Sequence, residues 1–192
     1  SYIFILVFLP LTLLGYFLLN RFRRYTLAKI FLILMSLWFY GYFNPAYLAI
    51  LVSSVLVNFA IRKFLMGCGR PRRLGLGLGL VFNLGLLFVF KYFDFFIINV
   101  NAVFKSALPL LHILLPLGIS FFTFQQLSYI IDAYRGNAPD YSFVDYALFV
   151  VFFPQLIAGP IVRHNEMIPQ FADAANKAFN YENFAKGILA FT

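Results

Sequence analysis

Uncharged apolar runs alternate with short charged stretches along this chain, and their lengths predict its elements. A helix rises 1.5 Å per residue, so crossing a hydrocarbon core of about 30 Å takes roughly 20 residues. Ser1 to Asn20 is uncharged and stops at a basic cluster, which predicts a first spanning helix. A cleaved signal peptide carries its positive charges ahead of the apolar run, so this helix is expected to be retained, with its N-terminus outside. The next uncharged run, Ile30 to Ile61, is too long for one span and is broken by Gly41 and Asn44-Pro45. It predicts a helical hairpin with its turn outside. Leu74 to Phe90 predicts a fourth span, in which Gly75 and Gly79 form a Gly-x-x-x-Gly pair that lets another helix approach closely. Lys91 and Asp94, three positions apart among aromatic rings, predict an ion pair at the membrane boundary, and Val100 to Lys105 an interfacial connector.

The pattern changes beyond Lys105. Ser106 to Ile131 is uncharged but interrupted by Pro109, Pro116 and Gly118, so the helix is expected to begin near Leu117 or Gly118. On it, Gln125, Ser128, Asp132 and Arg135 fall within about 80° of arc, with Leu127, Ile130 and Tyr134 roughly opposite. In lipid such a stripe must face a partner helix or a water-filled cavity, because an unpaired charge at depth costs at least about 2.5 to 3.5 kcal/mol. Two readings stay open: a cavity-lining face, or an Asp132–Arg135 pair that anchors the helix end. Ser142 and Asp145 read as a helix cap. Tyr146 to Val162 is again uncharged but contains Pro154-Gln155 and Ala158-Gly159-Pro160. Irregular backbone at membrane depth survives only where protein covers it or where it lines a cavity, so this run is a second functional candidate. Arg163, His164 and Glu166 follow, then an amphipathic stretch from Met167 to Ala178. From Tyr181 a new apolar rise reaches Thr192, and the protein is expected to continue beyond it.

Composition fixes the solvent. Of 192 residues, 62% are hydrophobic, 21% aromatic and 11% charged, against roughly 25% charged in a soluble domain. So few charges cannot cover a water-facing surface, and the single Cys68 excludes a disulfide framework. The fold class predicted is an all-α, polytopic membrane protein of about six transmembrane or re-entrant helices plus interfacial ones, in a single embedded domain. Charge sets its orientation. From Ser1 to Phe93 there are ten Lys and Arg and no acid, mostly in two clusters: Arg21, Arg23, Arg24 and Lys29, then Arg62, Lys63, Arg70, Arg72 and Arg73. Lying between apolar runs, they read as cytoplasmic loops under the positive-inside rule rather than as a nucleic-acid patch.

No motif in these patterns names a reaction. The chain has no zinc-protease helix, paired cysteines, nucleophile elbow or phosphate loop, so no bound metal or nucleotide is expected. Its two histidines could each act as a general base. His112 sits among apolar residues and could equally bond a backbone carbonyl; His164 has charged neighbours and could equally be interfacial.

Three strings, Leu115-Pro116-Leu117-Gly118-Ile119-Ser120-Phe121-Phe122-Thr123-Phe124, Ser128-Tyr129-Ile130-Ile131-Asp132-Ala133-Tyr134-Arg135-Gly136 and Phe153-Pro154-Gln155-Leu156-Ile157-Ala158-Gly159-Pro160-Ile161-Val162-Arg163, resemble the signature region of the membrane-bound O-acyltransferase family. Lys91-Tyr92-Phe93 and Tyr181 to Ile188 fit it more loosely, and the nearest branch by resemblance is the alginate O-acetyltransferase type. The resemblance implies part of a helical ring around a thinned, tunnelled centre. It implies transfer of an acyl group, acetyl in particular, from a cytoplasmic thioester such as acetyl-CoA to hydroxyls of an exported polysaccharide such as alginate. It also implies the bacterial inner membrane, periplasmic or membrane partner proteins, and no nucleic acid. The family's characteristic histidine lies in a later apolar helix, so the base is expected beyond Thr192 and this chain alone is expected to be inactive. Some relatives carry a histidine where Gln155 stands. Gln125, Ser128, Asp132, Arg135, Gln155 and Arg163 are then the candidates that line or brace the substrate path. A non-catalytic membrane subunit for polysaccharide export suits the broken helices equally.

Overall fold

The computed structural model describes residues 3–67, 69, 71–158 and 162–191, and among them every regular element is helical. A π-helical turn at Phe4–Phe8 leads into α1 (Leu9–Arg21), which folds back through a short loop onto α2 (Tyr25–Phe43). Asn44 separates α2 from α3 (Pro45–Met66), its side chain accepting the Ala46 N–H at 2.9 Å just before a proline at the first helical position. That is the expected hairpin.

The fourth span differs from expectation. α4 (Arg72–Leu87) continues through a π turn at Phe88–Tyr92 into α5 (Phe93–Phe104), giving one helical stretch of 33 residues. At about 1.5 Å per residue this exceeds the hydrocarbon core. It does not end at Phe90, and Val100 to Phe104 is helix rather than connector, because no proline lies between Leu74 and Phe104 to stop it. Lys91 and Asp94 do not pair. Lys91 Nζ donates to Ser120 Oγ at 3.2 Å, while the Asp94 carboxylate accepts the backbone N–H groups of Leu111 (2.8 Å) and His112 (2.9 Å), tying down the irregular segment before α6.

α6 (Ile119–Arg135) starts at Gly118, whose φ of +69° suits glycine, as the broken run predicts. It buries Ile119, Phe122, Tyr129, Ile130 and Ala133 against α3 and α4. Gly79 makes the approach of α6 possible, and Gly75 that of α3. A Cβ on Gly79 would lie 2.9 Å from Ile130 of α6, and one on Gly75 would lie 2.7 Å from Leu65 of α3. α7 (Phe143–Val151) is capped by Ser142, whose Oγ accepts the Asp145 N–H at 3.1 Å, and is buried continuously from Tyr146 to Val151. α8 (Phe153–Ala158), α9 (His164–Ala172), a 3-10 turn at Ala174–Lys177 and α10 (Tyr181–Phe191) complete the order. α9 thus ends six residues short of the expected amphipathic stretch, at Asp173, which instead caps the 3-10 turn.

Four segments are long and apolar enough to cross a membrane: Phe4–Arg21, Tyr25–Phe43, Pro45–Met66 and Arg72–Phe104. Their outward faces carry Leu6, Leu14, Leu34, Trp38 and Val81, each more than half exposed, as a lipid solvent permits. The chain is a multi-pass membrane protein. The ends of α1, α3 and α6 and the starts of α2, α4 and α7 share one side, the side that carries the basic clusters.

Candidate functional site

The break between α7 and α8 lies at depth, and protein satisfies its backbone. The Phe153 N–H donates to Ser36 Oγ of α2 at 3.3 Å, and that hydroxyl donates in turn to Leu32 O at 2.8 Å. The Phe153 ring packs among Phe4, Phe8 and Phe39 with centroids 5.2–5.9 Å away. Beside this break opens a cavity of about 540 Å³, walled by Thr12 and Tyr16 of α1, Pro154 and Gln155 of α8, Gln170 of α9 and Asn176. The lining is mostly apolar with a few amide and hydroxyl groups, the composition of a site that orients a small ligand. Gln155 lies on the wall of this cavity. Gly159, Pro160 and Ile161, the rest of that broken run, lie outside the described residues, as does Cys68.

A second polar centre stands at the basic side, around His164. Its ring is 2% exposed and packs edge-on against Tyr129 (4.9 Å) and Tyr141 (5.7 Å). Nε2 lies 3.1 Å from Asp132 Oδ2 of α6, and Nδ1 lies 3.3 Å from the Tyr141 hydroxyl. Partial burial, and then the nearby charge of Asp145, push the Tyr141 phenol above its ordinary value, so it stays a neutral donor. A phenol donating to Nδ1 leaves Nε2–H to donate to the carboxylate. Both ring nitrogens are thus engaged in holding the start of α9 against α6 and the 136–142 loop.

The same loop is gripped by Arg62. This guanidinium is fully buried near the end of α3, donates to the carbonyls of Tyr141 (3.0 Å) and Pro139 (3.4 Å), pairs with Asp140, and lies over the rings of Phe59 (5.3 Å) and Tyr129 (5.8 Å). Arg72 Nη2 donates to Ala133 O at 2.8 Å at the end of α6, and Lys29 Nζ pairs with Asp145 at 2.5 Å. Three cations of the clusters read as topology markers are specific braces. Deeper still, Tyr146 donates to Gln126 Oε1 (2.9 Å), Gln126 donates to Ser54 Oγ (2.9 Å), and Asn58 and Asn83 exchange amide hydrogen bonds (3.1 and 2.5 Å). Uncharged polar residues inside apolar helices are the available sequence signal for such a ladder, which joins α3, α4, α6 and α7.

The predicted stripe on α6 is only partly used. Asp132 reaches His164, not Arg135, which is exposed; Ser128 is half-buried on the same side, with Phe121 and Phe124 exposed beside it. Gln125 is 2% exposed, and its Oε1 has no hydrogen-bond partner among the described residues. Arg163 caps α9 from an exposed position, its N–H donating to Glu166 Oε2 at 3.5 Å. His112 is exposed rather than buried, with φ +48° and its N–H held by Asp94. The structure joins Asp132 to His164 and sets Gln155 on the cavity, but it does not bring all the candidates to one point. Among the described residues, no group of acids, histidines and cysteine could hold a metal ion.

Residues 130–192 match the model of the membrane-bound O-acyltransferase family, a stretch that includes Asp132, Gln155 and His164. Over 99% of its length the chain is 44% identical to the peptidoglycan O-acetyltransferase of Helicobacter pylori, covering 41% of that protein. Over its whole length it is 35% identical to the "Probable alginate O-acetylase AlgI" of Pseudomonas putida and to that of Azotobacter vinelandii, covering 40% and 38% of them. The chain thus spans about two fifths of the length of the curated relatives it matches. No solved structure matches it. The helical fold, the broken α7–α8 passage and relatives that share the whole chain agree: this chain belongs to the membrane-bound O-acyltransferase family.

Proposed function

We propose that this chain is part of an enzyme of the bacterial cytoplasmic membrane that acylates hydroxyls of an envelope polysaccharide, with acetyl as the group transferred. The observation that carries this reading is the 44% identity, over nearly the whole chain, to a protein named as a peptidoglycan O-acetyltransferase. The lower identity to the alginate enzymes makes peptidoglycan the first acceptor to assay. The basic side faces the cytoplasm in this reading, with the N-terminus outside, so a thioester donor such as acetyl-CoA arrives from the side of Arg62 and His164.

In the reaction the acceptor hydroxyl oxygen attacks the thioester carbonyl carbon, the C–S bond breaks, and the hydroxyl proton ends on the released thiol. The step needs a base for that proton and donors for the oxyanion. His164 is buried with both nitrogens engaged, and His112 is exposed on the other side, so neither is assigned as the base; we place it outside this chain. Gln155 can donate from the cavity wall to a carbonyl or hydroxyl. Asp132 and His164 act as positioning residues by fixing α9, which forms part of that wall. Partner proteins on the outer face hand over the polymer.

The test uses the native protein in cells lacking its gene, reading acetate released by mild alkali from purified peptidoglycan and from exopolysaccharide. Gln155→Ala and Asp132→Ala are expected to lower polymer-bound acetate at least about tenfold while membrane accumulation stays within about twofold. No difference in ester content between the deletion and complemented strains, in either polymer, overturns the proposal.

A further inference from the structure

A groove of about 910 Å³ runs along α1, shares Leu9, Leu13 and Phe17 with the Gln155 cavity, and is closed on its far wall by the residues that lead into α10. Leu9, Leu13 and Phe17 of α1 and Phe179 and Phe184 opposite form its apolar length. From Ile5 to Arg21 it extends about 24 Å along the helix. One leaflet's acyl layer is about 15 Å deep, half of the hydrocarbon core, so the groove is long enough for an acyl chain. Its rim is open toward lipid: Leu14 and Leu18, which line it, are 70% and 56% exposed.

The groove is chemically polarised. One end is purely hydrocarbon, while the other gathers Asn20, Arg21, Tyr25 and Lys177. No acid lines it among the described residues. Lys177 Nζ stands 4.2 Å from the Tyr25 ring centroid, which fixes the ammonium at the mouth and leaves its N–H groups outward. Asn20 is 6% exposed and sets its side-chain amide at the same end, beside the Tyr16 hydroxyl. Of the acids on the far wall, Glu182 pairs with Lys186 at 2.6 Å and Asp173 accepts the Ala175 N–H at 2.9 Å. An apolar slot beside a membrane span, ending in two cations at the level of the basic loops with no acid in its lining among the described residues, has the polarity of an anionic lipid.

We propose that this groove holds one anionic membrane phospholipid, with an acyl chain along α1 and its headgroup phosphate on Arg21 and Lys177. The groove adjoins the Gln155 cavity along Leu9, Leu13 and Phe17, but its polar end at Arg21 and Lys177 does not line that cavity, and its test does not depend on acyl transfer. Occupancy adds to the Phe17–Phe179 ring contact (5.4 Å) that already joins α1 to the approach of α10.

The experiment reconstitutes the native protein in nanodiscs of equimolar phosphatidylglycerol and phosphatidylcholine, releases it into detergent, and counts retained lipids by native mass spectrometry. Retention of phosphatidylglycerol over phosphatidylcholine by roughly fivefold or more is expected. Combining Arg21→Gln with Lys177→Gln should bring the ratio close to one, while Arg21→Lys with Lys177→Arg should keep it, which separates a charge effect from misfolding. Leu13→Trp, which fills the slot, should abolish retention of both lipids. Equal retention of the two lipids by the unaltered protein overturns the proposal, as does selectivity that survives the double glutamine variant. Selectivity that survives Leu13→Trp, or that inorganic phosphate removes, shows a headgroup or free-anion site only and also overturns it. A polypeptide segment filling the groove would leave no lipid retained at all, which overturns it equally.

Discussion

Replacing Arg62 by Lys separates two meanings of a basic residue near a helix end. The positive charge, and with it the topology signal, is kept; the planar fork is lost. In the structure that fork reaches two backbone carbonyls of the 136–142 loop and Asp140 at once, while its face covers two rings. Asp140 is 81% exposed, so the ion pair itself contributes little. The weight lies in the carbonyl bonds, about 1.5 to 3 kcal/mol each with a charged donor, and in desolvated ring contacts of about 1 to 2 kcal/mol. Against these stand the cost of burying the guanidinium and its unpartnered Nε. A lysine ammonium can keep one carbonyl, so Arg62→Lys is expected to cost about 1 to 2 kcal/mol and Arg62→Met about 2 to 4 kcal/mol. Thermal unfolding of the detergent-solubilised protein, followed by the loss of its monodisperse elution peak, should shift down by about 2 to 8 °C for Arg62→Lys. An unchanged midpoint for Arg62→Lys with a lowered one for Arg62→Met would refute the brace and leave charge alone as the role.

Two further outcomes follow from the packing and the charges. Gly79→Ala places a methyl 2.9 Å from Ile130 and should destabilise the α4–α6 contact by about 1 to 3 kcal/mol, whereas Gly77→Ala, with open space around it, should be neutral or stabilising by up to about 1 kcal/mol; the two melting midpoints measured together check this. Partial burial opposes ionisation of Asp145, but hydrogen bonds from Lys29 and Ser142 and the charge of Lys29 outweigh it and hold the carboxyl below its ordinary 3.8. With a lowered folded value, its contribution is complete above about pH 3.8 and is lost as the pH falls further, so a melting profile between neutral pH and pH 3 should lose that acid limb in Asp145→Asn.

What the sequence determined by itself is the set of local properties. Run length and charge gave the first three spans, the start of the fourth and the Asn44-Pro45 turn, Gly118 and Ser142 gave helix starts, and the Gly75–Gly79 pair announced close helix approaches. Each of these depends on residues within a few positions of one another, where sterics and capping act directly. The family was legible through the resemblance of three strings, and the break before α8 through Pro154, which cannot continue α7 whatever surrounds it. Only the tertiary structure decided the partners. Asp132 could pair with Arg135 three positions away, yet it meets His164 at a separation of 32, and Arg62 meets Tyr141 at a separation of 79. In a low-dielectric interior a buried ion or amide is held by whichever group the packed helices bring within about 3 Å, and its sequence neighbours do not select that group. Lys91 and Asp94 went elsewhere for the same reason: backbone groups of the irregular 106–117 segment needed an acceptor more than the two side chains needed each other.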